Sequence, residues 1–283
     1  MTRRCSSLLL VALCLGAGCC FAQTKLDTYE TDPAADPARP TVTNPAHIPP
    51  PGYLQFEQGF LQANTTPGGP DLQASVVQTT KIALDHHLMV SVQSQPFARS
   101  MQDGMGSNDT GDLDLGVQVV IFDEGEGHSR KPTLAVGYLN RVRSGTSPDL
   151  DAGSFGRSLL VLASGNLFGL HYDTNLLANE QVSDSPNFAN HPVPRRAQWG
   201  QTLSVTRNLT KKFAVSGEIW RFSQPLTGGN AIGNLYALAY TPRKTLVLDV
   251  GFSKGLTSTS TSWETFAGFT YLLPHRLWPL RKS

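Results

Sequence analysis

The sequence predicts an all-β chain: an antiparallel transmembrane β-barrel of about twelve strands. Three observations predict it. Charged residues make up only 16% of the chain and glycines number 26, against about 25% charge in a typical soluble domain. Beyond the first twenty-odd residues no apolar run approaches the ~20 residues that a spanning helix needs. The remaining apolar residues fall into strand-length runs whose connections alternate between short and long, as in barrels with short periplasmic turns and longer extracellular loops. A secreted β-sandwich shares the composition, but it has no reason to sort its loops by length.

Residues 1–22 read as a cleaved signal peptide. Arg3 and Arg4 give a positive start, Ser7 to Leu15 an apolar run, and Cys20-Phe21-Ala22 a small-residue site before Gln23. Lipoprotein processing at Cys19 or Cys20 is the alternative, although Gly16-Ala17-Gly18 fits that site poorly. All four cysteines, Cys5, Cys14, Cys19 and Cys20, lie in the leader, so the exported chain has neither disulfides nor thiolate chemistry. Loss of Arg3 and Arg4 leaves 21 of the 23 basic residues against 22 acidic ones. Near-neutrality without a basic tract excludes a nucleic-acid partner.

Residues 23–51 hold Pro33, Pro37, Pro40, Pro45 and Pro49 to Pro51. They read as a flexible, extended arm that stays in the periplasm. The barrel is expected over 52–273, and residues 274–283 form a tail with Trp278 and the basic Arg276, Arg281 and Lys282. The expected strands are 52–63, 73–84, 88–97, 112–122, 132–143, 156–164, 167–178, 199–208, 213–222, 231–241, 244–254 and 263–273. Each is long enough for a tilted strand to cross the hydrocarbon core. Short turns are expected at Asp85-His86-His87, at a Gly165-Asn166 break, at Leu209 to Lys212 and at Pro242-Arg243, with a mid-sized link from Asp123 to Lys131 on the same side. The long loops are 64–72, 98–111, 144–155, 179–198, 223–230 and 255–262.

Alternation assigns the faces. Leu113, Leu115, Val117, Val119 and Ile121 oppose Asp112, Asp114, Gly116 and Gln118. Leu246, Leu248, Val250 and Phe252 oppose Val247, Asp249, Gly251 and Ser253, and 213–222 and 263–273 behave alike. The run Leu159 to Ala163 does not alternate; it is either a misassigned strand or one whose inner face packs on a plug. Tyr53, Phe97, Phe122, Trp199, Phe213, Phe222, Trp263 and Tyr271 sit near strand ends, where aromatic residues favour the headgroup level.

Several segments are similar to a known family. Gly111 to Gln118, Pro132 to Ala135 with Ser144-Gly145, the turn Leu84-Asp85-His86-His87-Leu88, and the closing Gly251 to Leu256 with Trp263 to Tyr271 resemble the MetA-pathway of phenol degradation family of outer-membrane barrels. Val142-Arg143-Ser144 departs from that family's Pro-Thr. The resemblance implies an outer-membrane location and uptake linked to aromatic compounds. Gly268, Tyr271 and Leu273 resemble the signal read by the barrel-insertion machinery, with the departure that a tail follows. Expected partners are therefore outer-membrane lipid and lipopolysaccharide, the insertion machinery and a small-molecule solute.

Inward parity nominates lumen or solute-contact residues: Glu57, Asp114, Gln118, Arg141, His171, Asp173, Asn175, Glu218, Asp249 and Glu264. Acids and arginines facing each other across a lumen set solute selectivity; the same residues also serve simply to satisfy polar groups there. His171, Asp173 and Asn175 share a face, which with Ser164, Ser204 or Ser216 from other strands would suit a barrel lipid hydrolase. Adjacent His86 and His87 point apart, and no spacing suits a metal or a phosphate-binding loop, so neither cofactor nor enzyme activity is expected. The reading is a passive channel for small, apolar or aromatic solutes. The alternative is a structural or surface-binding barrel with a closed lumen, whose contact surface would be loop 179–198.

Overall fold

The computed structural model describes residues 33–64, 70–123, 131–142, 144–145, 156–182, 195–226 and 228–278. The leader, the start of the arm, the Asp123–Lys131 link, Arg143 and most of the loop at 179–198 fall outside the described residues.

Thirteen strands form among the described residues: β1 (Leu54–Asn64), β2 (Leu72–Ala83), β3 (Leu88–Gln102), β4 (Met105–Asp109), β5 (Leu113–Phe122), β6 (Thr133–Val142), β7 (Arg157–Leu167), β8 (Leu170–Val182), β9 (Arg195–Asn208), β10 (Phe213–Ser223), β11 (Asn230–Arg243), β12 (Leu246–Gly255) and β13 (Trp263–Leu272). All pairings are antiparallel between ring neighbours, β1 pairs with both β2 and β13, and β2 with β3. The sheet therefore closes. Strand β4 pairs only with β3, so the ring itself has twelve strands.

The sorting of residues is inverted relative to a soluble protein. Buried side chains include Gln55, Glu57, Gln73, Ser75, Asn175, Gln198 and Thr270, while Leu115, Val117, Val119, Ile121, Leu159, Val161, Ile219, Leu248, Val250 and Phe252 are exposed. An outer apolar surface of this kind needs a hydrocarbon solvent. Closure leaves no unpaired edge, which a lipid-embedded sheet cannot tolerate.

Three local expectations are corrected. The loop at 98–111 is in part a hairpin, because β3 runs on to Gln102 and turns through Asp103-Gly104, both at positive φ, into β4. The turn expected at Gly165-Asn166 falls at Phe168-Gly169 instead, with φ of 54° and 77°, and Leu167 pairs with Leu170. A two-residue hairpin of type I′ requires positive φ at both central residues; glycine supplies one cheaply, and Phe168 is held there against its preference. Strands β8 and β9 also extend to Val182 and from Arg195, which shortens the expected 179–198 loop at both ends.

The run Leu159 to Ala163 is a regular strand. Leu159 and Val161 face outward, whereas Leu160 and Leu162 face inward and are buried against Ala46 and Ile48 of the arm. Both faces meet apolar surroundings, so the polar half of the alternation is missing. The turn residues Asp85 to His87 behave as expected: the Asp85 carboxylate accepts the amides of His87 and Leu88.

Candidate functional site: the barrel lumen and its internal arm

The proline-rich arm does not stay in the periplasm over residues 33–51. It enters beside the β11–β12 turn, where the Ala35 amide donates to the Lys244 carbonyl. It then crosses the lumen and returns to Gly52, whose amide donates to Ala83 at the start of the barrel wall. A twelve-stranded ring is wider than its own side chains can fill, and the arm occupies the periplasmic half.

The composition that suggests disorder suits this position. Every buried backbone N–H must find an acceptor, and proline has none to satisfy. The amides that remain are met one by one by wall side chains. Asp36 donates to Gln55 at 2.8 Å and Ala38 to Glu57 at 3.2 Å. Val42 and Thr43 donate to Glu218 at 2.9 and 2.7 Å, and the Thr43 hydroxyl does so at 2.6 Å. Asn44 exchanges two bonds with Asn175, and Ala46 donates to the Ser164 hydroxyl at 2.7 Å. The Gln118 amide group donates to the carbonyls of Pro45, Ala46 and His47. Strands β1, β5, β7, β8 and β10 thus all hold the arm.

Arg39 has a shaped seat. Gly59 on β1 pairs with Gly268 on β13, and Gly268 pairs with Asp249 on β12. The guanidinium passes so close to the first two positions that a β-carbon on Gly59 would lie 2.1 Å from it, and it reaches Asp249 at 3.5 Å. Glu57 is bound by Lys81 at 2.5 Å. Burial pushes the Asp36 carboxyl up to about 6, against the pull of His47 and Lys81.

Eight of the ten expected lumen residues are thereby placed. Glu57, Gln118, Asn175, Glu218 and Asp249 are buried against the arm rather than facing open water. Asp114 and Arg141 form a cross-strand ion pair, 2.8 Å from Nε to Oδ1, toward the extracellular end. Glu264 lines the cavity described below. The remaining two, His171 and Asp173, pair at 3.3 Å, and the His171 ring lies 6.1 Å from that of His47. Ser164 donates its proton to the same Asp173 oxygen at 2.5 Å. The serine therefore addresses the acid and not an imidazole base, which is the wrong order for nucleophile activation. Ser216 pairs with Thr206. Among the described residues no group of three His, Cys, Asp or Glu is placed to hold a metal.

Above the arm lies a cavity of about 360 Å³. Its wall mixes apolar side chains, Leu160 and Leu162 on β7, Leu177 on β8, Trp220 and Phe222 on β10, Leu235 on β11 and Phe266 on β13, with polar and charged ones, among them Lys81, Gln93, Asp114, Arg141, Ser253 and Glu264. Phe222 is thus buried inside, not in the headgroup girdle that its place near a strand end suggests. Phe213, by contrast, is half-exposed outside and stacks on Tyr240 at 4.8 Å. Sequence reasoning also missed Arg39, Thr43, Trp220 and Phe266. Parity alone puts Trp220 beside Glu218 on the inner face, but only knowledge of the plug distinguishes an apolar inner wall from a misassigned strand.

These features define a class: a twelve-stranded antiparallel outer-membrane β-barrel, with an apolar outer face and a lumen partly filled by its own chain. No protein-family model matches the sequence, and no curated protein matches it. Among solved structures the chain is similar to the COG4313 outer membrane channel from Pseudomonas putida F1, with a TM-score of 0.59 and 12% identity, covering 84% of this chain and 99% of that one. It is also similar to the NanC porin, with a TM-score of 0.50 and 11% identity, covering 77% of this chain and 98% of that one. At these identities the likeness is one of fold.

Proposed function

We propose that the barrel is a passive channel for small apolar or aromatic solutes. The observation that carries this reading is the lumen itself: polar side chains hold the arm, and the cavity beside it is lined by the aromatic Trp220, Phe222 and Phe266 together with a set of polar side chains. Ligand sites are commonly concave and apolar with a few polar groups, in volumes of about 300–1,000 Å³. Passage requires the arm to shift, because its bonds reach six strands around the ring. The resemblance to the phenol-degradation family supports the aromatic class of solute, and the outer-membrane channel among the similar folds supports the channel reading. Insertion through the barrel-assembly machinery, with lipopolysaccharide around the outer wall, belongs to the same reading.

Reconstitution into lipopolysaccharide-containing planar bilayers tests it. Discrete conductance steps, with added current noise when phenolic solutes enter, are expected. Absence of both conductance and solute flux overturns it. The number of bonds that hold the arm favours one second reading, a structural barrel with a closed lumen. A chain lacking residues 34–48 that still conducts nothing would establish that alternative.

A further inference from the structure

Charge is sorted across the barrel wall. The strand acids Glu57, Asp114, Asp173, Glu218, Asp249 and Glu264 hold inward places in the register, and Glu180 is the one strand acid with an outward place among the described residues. Basic residues near the extracellular strand ends behave differently. Arg99 on β3, Arg157 on β7, Arg221 on β10 and Lys254 on β12 all face outward there. The outer wall below them is apolar, so this rim lies at the level of the outer-leaflet headgroups. A positive rim over an apolar band matches an anionic amphiphile.

One stretch of that rim is shaped. Leu159 pairs with Ala178 and Ala178 with Trp199, all on the outer face, and Glu180 pairs with Ala197. Leu159 and Trp199 project outward and are exposed, and the two alanines between them leave a dent. The result is a groove of about 400 Å³, with Ala178 and Ala197 as its floor, Tyr138 and Leu159 as one wall, and Arg157, Glu180 and Arg196 at its extracellular end. Arg157 stands 4.0 Å from Glu180, with 62% of its side chain exposed. A guanidinium carries five N–H donors in a planar fork, more than one carboxylate at that distance can use. Glu180 therefore orients Arg157 and leaves it open to a second anion.

We infer that this groove binds a phosphorylated, multiply acylated glycolipid of the outer leaflet, of the lipopolysaccharide class. Arg157 and Arg196 take a phosphate, and an acyl chain lies over Ala178 and Ala197 against Tyr138 and Leu159. Arginine matches phosphate oxygens with paired, charge-assisted hydrogen bonds, which gives direction as well as attraction. The apolar floor holds any acyl chain, so discrimination between lipids comes from the headgroup. The groove opens at the extracellular end, where it meets the glycolipid leaflet and not the phospholipid one. The inference rests on the outer-membrane position of the barrel and is independent of the channel reading.

The test adds lipid A carrying both phosphates to the full chain in uncharged detergent micelles and reads bound lipid by native mass spectrometry. The same lipid without phosphates, and phosphatidylglycerol, are the comparisons. The parent should retain the phosphorylated glycolipid over either. R157Q should lower that retention about two- to fivefold, the range expected for an exposed ion pair. A178L, which fills the groove floor and leaves the charges in place, should lower it as well. R207Q, at an outward arginine near the periplasmic end of β9, should leave it unchanged. Equal retention with and without phosphates, or equal retention of phosphatidylglycerol, overturns the inference even if no variant folds. Equal losses in R157Q and R207Q also overturn it, because they would mean attraction without a site. Conductance in bilayers without phosphate-dependent retention overturns this inference and leaves the channel standing. Retention without conductance or solute flux supports the groove and overturns the channel.

Discussion

Thr43 donates both its backbone amide and its hydroxyl to one carboxylate oxygen of Glu218, at 2.7 and 2.6 Å, while the neighbouring Val42 amide takes the other oxygen. A turn of the arm is thus clamped on a single wall residue. A hydrogen bond is worth about 0.5–1.5 kcal/mol, so three on one residue make Glu218 a principal attachment of the arm. Glu218→Ala should loosen the arm without opening the barrel. Val42, whose side chain is exposed, is the reporter: a nitroxide on Val42→Cys should give an immobilised spectrum in the parent and a mobile component in the Glu218→Ala background. An unchanged spectrum would show that the clamp does not hold the arm.

The seat of Arg39 predicts a contrast between two paired glycines. At Gly59 an added β-carbon meets only the flexible guanidinium, whereas at Gly268 it meets the Gln58 backbone carbonyl at 2.5 Å. Gly59→Ala should displace Arg39 from Asp249 and leave the unboiled barrel migrating normally on detergent gels. Gly268→Ala should lower the temperature at which that compact band is lost. Equal effects on the band would refute the distinction.

Asp36 makes arm docking sensitive to pH. Its carboxyl titrates at about 6 in the lumen against an ordinary value of 3.8, chiefly because burial disfavours the charge. The docked state therefore binds the proton more tightly than the free arm. This favourable contribution is complete below about pH 4, declines as pH rises toward 6, and is lost above it. The mobile fraction of the Val42 nitroxide should rise across that window, and Asp36→Asn should flatten the rise. A fraction that falls with rising pH would contradict the sign.

Leu162 tests the apolar contact between wall and arm. It is 1% exposed and packs in the cluster that contains Ala46. Leu162→Ala should cost about 2–5 kcal/mol if the site cannot collapse, read as a lower unfolding midpoint in denaturant. The outward neighbour Val161 is half-exposed, and Val161→Ala should change the midpoint far less.

Phe168 sits at φ 54° and is almost fully exposed. The left-handed conformation costs an ordinary residue about 1–2 kcal/mol, and asparagine before glycine is favoured in this turn. Phe168→Asn should therefore stabilise the hairpin by about 1 kcal/mol, seen as a raised midpoint. A lowered midpoint would mean that the phenyl ring earns its place at the membrane surface.

Strand number and the two faces of the strands were legible because each depends on local chemistry. A period of two, a span of 9 to 12 residues and the polarity of a turn are properties of short segments. Thus counting alone turned Asp114, Gln118, Glu218 and Asp249 inward, and all four side chains are buried. What those residues meet was not legible. The arm reads as disordered because proline and small residues bury little apolar surface by themselves, and only a closed ring brings Gln55, Gln118, Ser164, Asn175 and Glu218 to its few amides at once. The cavity has the same origin. Trp220 faces Gly233, and Phe266 faces Gly251, only in one register between strands. Register is set by the whole ring, so the sequence by itself determined a lipid-faced barrel, and the tertiary structure decided that its lumen holds an arm and, beside it, a cavity with an aromatic cluster in its wall.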